Sequence, residues 1–188
     1  MKLGLFGGTF DPIHLGHLRA AESAREELGL DLVAFVPSSV PPHRFGQLTE
    51  ANDRFAMTCL ACAHHPSFVA WDTELRRPGP SYTVETVELV RAERPGDDIV
   101  LVVGADTWPE MTTWRDPARL LAQVTVAVVT RPDGPVPPAA VSGVVRVGGP
   151  SLPISATLVR DRVRRGESVR FLVPDAVADY ITKRGLYS

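Results

Sequence analysis

Two histidines follow a glycine-rich turn near the start of the chain, in the run GGTFDPIHLGH at residues 7–17. Glycines at a strand end let backbone N–H groups approach a phosphate closely, and the N-terminus of a following helix adds partial positive charge. His14 and His17 are three residues apart on the first turn of a predicted helix, so both imidazoles face what the turn holds. Gly16 lies between them and leaves room for a flat ligand such as a purine. The pattern predicts a site for a phosphate-bearing nucleotide.

Other interpretations of this run remain open. It does not match the spacing G-x-G-x-x-G, and no Gly-Lys-Ser/Thr follows as in a Walker loop. A single capping histidine, ordinary turn glycines or a metal pair would also fit. A zinc site needs a third or fourth ligand, and Asp11 or Asp106 would supply it only weakly. We predict no protein-bound metal site.

A second patch opens a predicted helix near residue 156. Ser155 and Thr157 place two hydroxyls at the helix start, at the spacing of an N-cap, and Arg160 follows one turn later. The segment 151–188 carries a net charge of +3 on a chain whose total is −2, so an anion would be drawn there. A plain capping motif with a solvated arginine is the alternative.

Two further patches have features of a second substrate site. The run GPSYTVET at residues 79–86 opens a helix at Tyr82 and Thr83, where backbone N–H groups and hydroxyls can bind an anion. Asp106 follows the most apolar strand, and Trp114 comes about two helical turns later. An indole can stack on a pyridinium ring, although tryptophan is also a common core residue.

The order of the elements predicts a parallel sheet with crossover helices. Apolar runs predict strands at Lys2–Phe6, Leu32–Val36, Phe68–Trp71, Ile99–Val103, Thr125–Val129 and Val144–Val147. Helical spacing predicts Leu15–Leu28, Glu50–His64, Thr83–Arg94, Asp116–Leu121, Ala156–Arg165 and Pro174–Lys183, the last with proline at its first position. The fold class is α/β, with a Rossmann-like, mostly parallel sheet flanked by helices. We expect one domain over residues 1–188, in which 151–188 forms a small helical C-terminal extension.

Composition narrows the class of partner. The chain has 188 residues, 20 basic and 22 acidic, so no domain-wide basic field exists to hold nucleic acid by phosphate neutralisation. No apolar stretch reaches the ~18 residues of a membrane span, and the first residues lack a signal-peptide pattern. We therefore expect a cytoplasmic protein without a nucleic-acid or membrane partner. Whether it forms a homo-oligomer is left open.

The only two cysteines, Cys59 and Cys62, form one C-x-x-C pattern. Such a pair can be a redox couple or half of a zinc site. Here it lies in a helix-like apolar run, where two small apolar side chains fit a core face. We favour the structural interpretation, because no second cysteine pair exists to complete a metal site.

The run GGTFDPIHLGH resembles the HxGH signature of the nucleotidyltransferase superfamily, and its FDPIH segment is similar to that of the nicotinate-mononucleotide adenylyltransferases. The resemblance extends from Leu3 to the C-terminal run DYITKRGLY. It implies that His14, His17 and Arg160 are catalytic. It also implies an ATP site that includes Gly7, Gly8, Thr9, Phe10, Gly16, Arg44, Ser155 and Thr157. For the nicotinate mononucleotide it implies Tyr82, Thr83, Gly104, Asp106, Trp108, Trp114 and Arg131.

Two positions depart from the family pattern. Ala156 stands where the family usually has a hydroxyl, so we do not assign it a phosphate contact. Arg44, in the run PPHR, stands where the family has a lysine that reaches the β- and γ-phosphates. The charge is retained, but a planar guanidinium binds phosphate differently from an ammonium.

The implied activity is transfer of the adenylyl group of ATP to nicotinate mononucleotide, giving deamido-NAD and pyrophosphate, with Mg²⁺ held chiefly by the phosphates. Alternatives are a relative that uses nicotinamide mononucleotide or phosphopantetheine as acceptor, and a nucleotide-binding module without catalysis. A redox function of the two cysteines is a further alternative.

Overall fold

Strands and helices alternate along the chain of this computed structural model, which describes residues 1–41, 48–130, 142–150 and 152–188. The strands are β1 (Lys2–Gly8), β2 (Leu32–Pro37), β3 (Phe68–Ala70), β4 (Asp98–Gly104), β5 (Thr125–Thr130) and β6 (Val144–Gly148). The α-helices are α1 (Leu15–Leu28), α2 (Ala51–Cys62), α3 (Thr83–Glu93), α4 (Pro117–Leu121), α5 (Ala156–Arg164) and α6 (Asp175–Arg184). A 3₁₀ helix covers Trp108–Thr113.

The strands form one sheet in the order β3-β2-β1-β4-β5-β6, and every neighbouring pair is parallel. This confirms the predicted α/β, Rossmann-like fold. The chain leaves β1 toward β2 on one side and later returns to β4 on the other, so the strand order reverses between β1 and β4. In such sheets the crevice beyond the carboxyl ends of these two strands is where ligands bind.

Both faces of the sheet are covered by helices. On one face, Phe6 and Phe35 pack with residues of α1, α2, α5 and α6. On the other face, Leu5 and Leu101 pack with α3, α4 and the 3₁₀ helix. Neighbouring strand residues point to opposite faces, so a strand with cores on both sides must be apolar throughout, as the run Ile99–Val103 is.

The last helix is held on this core by apolar and polar contacts. Val177 and Ile181 of α6 are buried in the same cluster as Phe6 and Phe35. The carboxylate of Asp53 in α2 accepts a 2.7 Å hydrogen bond from the Tyr180 hydroxyl and contacts the guanidinium of Arg184 at 3.1 Å. Helix α6 begins at Asp175, one residue later than predicted, with Pro174 as its N-cap.

The two cysteines lie on α2 in different surroundings. Cys62 packs into the core and is 4 % exposed, whereas Cys59 is exposed. Burial raises the pKa of the Cys62 thiol to about 12. Partial loss of solvation and the nearby charge of Asp72 raise the pKa of the more exposed Cys59 as well. Both groups are therefore protonated thiols near neutral pH, which makes them poor nucleophiles and poor metal ligands. No group of three or more His, Cys, Asp or Glu residues in the described ranges is placed to hold a metal ion.

The described residues include no helix that is both long and apolar enough to cross a bilayer.

Replacing both cysteines with alanine tests their structural role. We expect the variant to fold with a loss of about 1 kcal/mol, because only the small Cys62 side chain leaves the core. Its melting temperature, followed by circular dichroism, should not change on adding dithiothreitol, and neither should that of the parent. A reductant-dependent melting temperature of the parent would contradict this assignment, because it would reveal a disulfide.

Candidate nucleotide-binding site

A cavity of about 470 Å³ opens at the carboxyl ends of β1, β4 and β5. Gly7 and Gly8 of β1, Gly104 of β4 and Thr130 of β5 line it. It therefore lies at the reversal of strand order, where the topology places a ligand crevice.

His14 and His17 cap α1 reciprocally. Nδ1 of His14 accepts a hydrogen bond from the backbone N–H of His17 at 3.3 Å, and Nδ1 of His17 accepts from that of His14 at 3.2 Å. The two rings stack at 3.6 Å between centroids, and both line the cavity. Because each Nδ1 is an acceptor, each neutral ring carries its proton on Nε2, the nitrogen that can donate to a ligand oxygen. The hydrogen bonds that start the helix thus also select the tautomer.

Close contacts explain two of the glycines in this loop. A Cβ on Gly8 would lie 2.9 Å from the Phe10 ring, and one on Gly16 would lie 3.0 Å from Nδ1 of His14. Phe10 itself is buried at φ 49° and meets the His17 ring edge-on at 5.1 Å between centroids. Gly16 therefore leaves space for the His14 ring as well as lining the cavity, a packing reason that the sequence pattern did not supply.

Three helix N-termini meet at the cavity. The N-caps of α1, α3 and α5 are His14, Tyr82 and Ser155, and all three line the cavity. The first helical residues Thr83 and Ala156 line it as well. Ser155 is the N-cap of α5, as the sequence predicted, and its hydroxyl accepts a hydrogen bond from the N–H of Leu158 at 3.1 Å. Tyr82 caps α3 without a side-chain hydrogen bond. Each N-terminus carries roughly half a positive charge, so the cavity is suited to a ligand with several anionic groups.

A buried arginine holds together three loop segments near the cavity. Arg54 of α2 is 1 % exposed, and its guanidinium donates to the carbonyl oxygens of Thr9, Ser39 and Thr49 at 2.7–3.1 Å. Burial lowers the pKa of Arg54, and the charge of Asp11 opposes this effect. The loops after β1 and β2 and the segment before α2 are thereby joined at one group.

Asp11 of the loop between β1 and α1 has partners from two distant segments. Its carboxylate accepts a 2.7 Å hydrogen bond from the Tyr187 hydroxyl, and its backbone carbonyl accepts from Nη1 of Arg160 at 2.6 Å. Arg160 also donates to the Thr157 hydroxyl at 3.1 Å. In this structure Arg160 therefore contacts the loop that carries the histidines.

An aromatic and charged group forms the side of the cavity near α3. Trp114 and Tyr82 line it, and both also pack against the core on that face of the sheet. The Arg115 guanidinium lies over the Tyr82 ring at 4.6 Å from its centroid and pairs with Glu85 at 3.0 Å. A planar, electron-poor ring would find stacking surfaces and charges of both signs here.

Most of the predicted site residues meet at this cavity. Those that line it are Gly7, Gly8, Thr9, Phe10, His14, Gly16, His17, Tyr82, Thr83, Gly104, Asp106, Trp114 and Ser155. Trp108, Thr157 and Arg160 are not among the lining residues, and Trp108 packs against the core. Arg44 and Arg131 lie outside the described residues.

Several residues of the site were not predicted. Glu74, Arg115 and Arg19 line the cavity. Arg54 and Tyr187 donate hydrogen bonds to Thr9 and Asp11, which line it. Glu74 and Arg115 stand in short polar segments whose spacing has no regular pattern, so the sequence offered no local signal for them. Arg54 and Tyr187 stand on or next to helices where a charge or a phenol normally faces solvent.

Glu74 is a buried carboxyl in the wall of the cavity. It is 6 % exposed and accepts a 2.7 Å hydrogen bond from the hydroxyl of Thr86 in α3. The same hydroxyl accepts from the Arg77 guanidinium at 3.0 Å. Burial raises the pKa of Glu74, and the hydrogen bonds from Thr86 and Ser81 oppose the rise. The contacts join the loop before α3 to the first turns of that helix.

Comparison with known proteins places the chain among nucleotide-transferring enzymes. Residues 5–162 match the family described as cytidylyltransferase-like. A probable nicotinate-nucleotide adenylyltransferase of Thermus thermophilus is 46 % identical over 187 residues, with 100 % of each chain covered. One from Thermomicrobium roseum is 40 % identical, covering 99 % of this chain and 91 % of its own. The Plasmodium falciparum nicotinic acid mononucleotide adenylyltransferase, solved with NaAD, superposes with a TM-score of 0.84 at 16 % identity, covering 99 % and 97 % of the two chains.

The raised pKa of Glu74 makes a pH-dependent contribution to stability. Above the ordinary pKa of a glutamate the unfolded chain releases this proton before the folded one, so the free energy of unfolding falls as pH rises. Glu74→Gln removes this contribution and keeps an acceptor for Thr86. We expect the melting temperature of the variant, relative to the parent, to rise between about pH 4 and about pH 8. The exposed Glu93→Gln is the control, and the same pH trend in both variants would contradict the prediction.

Proposed function

Because this chain belongs to the cytidylyltransferase-like family and, within it, to the nicotinate-nucleotide adenylyltransferases, we propose that it transfers the adenylyl group of ATP to nicotinate mononucleotide. The products are deamido-NAD and pyrophosphate. The observation that carries the proposal is the reciprocal cap of His14 and His17, which puts two Nε2–H donors in a cavity where three helix N-termini meet.

The reaction is an in-line displacement at phosphorus. An oxygen of the 5′-phosphate of nicotinate mononucleotide attacks the α-phosphorus of ATP, a new P–O bond forms, and the bond to the bridging α,β-oxygen breaks. The electron pair leaves with pyrophosphate. Because the attacking phosphate is already ionised, no activated serine or cysteine and no general base is required. Catalysis then depends on positioning, worth up to about 7–11 kcal/mol, and on donors aimed at the developing charge.

The histidines supply those donors. We assign His14 and His17 to the α-phosphate and bridging oxygens, where negative charge grows as the bond to pyrophosphate breaks. The stacked rings fix one another, and the cap fixes the tautomer, so little reorganisation is needed when charge develops. The turn of Gly7, Gly8 and Thr9 and the α1 N-terminus complete this part of the ATP site.

The remaining phosphates are assigned to the start of α5 and to two arginines. Ser155 and Ala156 line the cavity, which supports a contact between this N-terminus and the β- and γ-phosphates. Arg160 and Thr157, one turn further, and Arg44 are proposed to neutralise the leaving pyrophosphate. For Arg160 this requires that its guanidinium exchange a contact with Asp11 or Thr157 for one with phosphate.

The acceptor is assigned to the aromatic side of the cavity. The pyridinium ring of nicotinate mononucleotide would stack on Trp114, and its carboxylate would accept from the first N–H groups of α3 at Tyr82 and Thr83. Gly104 and Asp106 follow β4 on the same wall. Trp108 would act through packing, and Arg131 is proposed as a further contact.

ATP enters this scheme as its Mg²⁺ complex. Magnesium prefers oxygen ligands and is commonly held by substrate phosphates with few protein ligands. The Asp11 carboxylate in the cavity wall already accepts hydrogen bonds from Tyr187 and from the N–H of Thr49. We therefore assign the ion to the phosphates of ATP and not to this carboxylate. We also propose that the enzyme works in the cytoplasm on free nucleotides.

The acceptor assignment is tested by incubating the protein with Mg-ATP and one acceptor at a time, followed by chromatography. We expect a dinucleotide and pyrophosphate with nicotinate mononucleotide, and less product with nicotinamide mononucleotide. Adenylylation of phosphopantetheine instead would overturn the substrate assignment. Binding of ATP without release of pyrophosphate would indicate a module without catalysis.

Substitution of His17 tests the catalytic assignment. His17→Ala should lower turnover by about 10²–10³-fold, the loss found when one charge-stabilising donor is removed. His17→Asn should lose nearly as much, although the amide oxygen can still accept the cap hydrogen bond from His14, because it lacks the Nε2–H donor. Exposed His64, outside the cavity, provides the control His64→Ala with parental turnover. A folded His17→Asn that is nearly as active as the parent would refute the assignment.

A further inference from the structure

Tyr187, in the turn after α6, contacts the loop between β1 and α1 that leads to His14 and His17, here called the catalytic loop. Helix α6 ends at Arg184, and its C-cap is Gly185, which has a left-handed φ of 60° and whose N–H donates to the carbonyls of Ile181 and Thr182. This C-cap reverses the chain, so that Leu186 and Tyr187 pack against the core that contains α1.

The backbone of Tyr187 is strained. Its φ of 67° lies in the left-handed region, which a bulky aromatic residue rarely adopts. Such a conformation persists only where surrounding contacts compensate for it, and it is more frequent at functional sites. The contact that this backbone provides is the 2.7 Å hydrogen bond from the Tyr187 hydroxyl to Oδ1 of Asp11.

Asp11 is itself part of the catalytic loop. It is 2 % exposed, lines the cavity, and stands three residues before His14. The preceding Phe10 also has a left-handed φ, of 49°, so this turn too needs contacts to hold it. Oδ2 of Asp11 accepts a longer, 3.4 Å hydrogen bond from the N–H of Thr49. The contact from the phenol is therefore shorter than the contact from Thr49.

We propose that Tyr187 is a positioning residue for the adenylyl transfer, acting through Asp11 to hold the loop that places His14 and His17 against ATP. This inference rests on the proposed function. Burial raises the pKa of Tyr187, a hydrogen bond with the Thr49 side chain opposes the rise, and the nearby Asp11 charge adds to it. The phenol therefore remains protonated and remains a donor. Loss of this contact should slow the chemical step, because the loop orients donors that act where charge develops.

The test compares two tyrosines of the same segment. Tyr187→Phe removes only the hydroxyl that contacts Asp11. Tyr180→Phe is the matched control, because its hydroxyl makes a hydrogen bond of the same length, 2.7 Å, to the carboxylate of Asp53, which lies outside the cavity lining. A purely structural role predicts the same outcome for both variants. Initial rates with Mg-ATP and nicotinate mononucleotide, melting temperatures and hydrogen exchange are measured for each.

For Tyr187→Phe we expect kcat to fall about tenfold or more with KM for both substrates within about twofold, since the loop orients groups that act in the transition state. Amides of residues 9–18 should exchange faster in this variant. Tyr180→Phe should keep the kcat and the loop exchange of the parent. In an Asp11→Asn background, Tyr187→Phe should have a much smaller effect on kcat, because its partner is already changed.

Parental kcat in a folded Tyr187→Phe, or an equal fall in both tyrosine variants, would overturn the inference. A loss expressed only as a higher KM would overturn it as well, because it would indicate a binding effect. Failure of the proposed function is a separate result: the parent protein itself would then form no dinucleotide from nicotinate mononucleotide.

Discussion

A buried positive charge organises the loops at the carboxyl ends of β1 and β2. The guanidinium of Arg54 is almost completely buried, and burial of an unpaired charge is too costly for a fold to tolerate. Its compensation is a set of three carbonyl oxygens, at Thr9, Ser39 and Thr49. These belong to the loops after two adjacent strands and to the segment before α2. The requirement to satisfy one buried cation therefore joins the loop after β1, which lines the cavity and carries the histidines, to the loop after β2 and the segment before α2.

In the same region, one set of hydrogen bonds determines both the start of a helix and the tautomer of two rings. The reciprocal cap of His14 and His17 starts α1, stacks the two rings and leaves Nε2 as the protonated nitrogen. The helix N-termini at the cavity add partial charges that are fixed by the backbone. A site built in this way is preorganised, because its donors are held in place before substrate arrives.

The fold was largely predictable because its signals are local. The helix Leu15–Leu28 has the predicted bounds, and apolar runs located each strand of the described residues, since strands buried on both faces must be apolar throughout. Strand β1 was predicted to end at Phe6, yet Gly7 and Gly8 continue the ladder opposite Val36 and Pro37. The glycines suggested a turn, and pairing with β2 outweighed that preference. The 3₁₀ helix Trp108–Thr113 is too short to produce a periodic pattern.

The residues of the site also differ in whether a local sequence pattern could predict them. Residues on strand ends and helix starts, such as Gly8, Thr83 and Ser155, could be predicted, because a parallel sheet brings those positions to one edge. The supporting contacts could not. Arg54 meets Thr9 across 45 positions of sequence and Tyr187 meets Asp11 across 176, and no local spacing encodes such pairs. The sequence predicted a phosphate contact for Arg160, whereas the hydrogen bonds that Arg160 makes to Asp11 and Thr157 depend on the tertiary structure.

The long separation between Asp11 and Tyr187 has a consequence for how the molecule is assembled. Contacts between positions far apart in sequence form slowly, because the entropy of closing the intervening chain must be overcome first. A partly folded chain, with β1 and α1 formed but α6 not yet docked, would hold its histidines on a loop that lacks the Tyr187 contact. Catalytic competence would then mark the completion of folding more faithfully than secondary structure does.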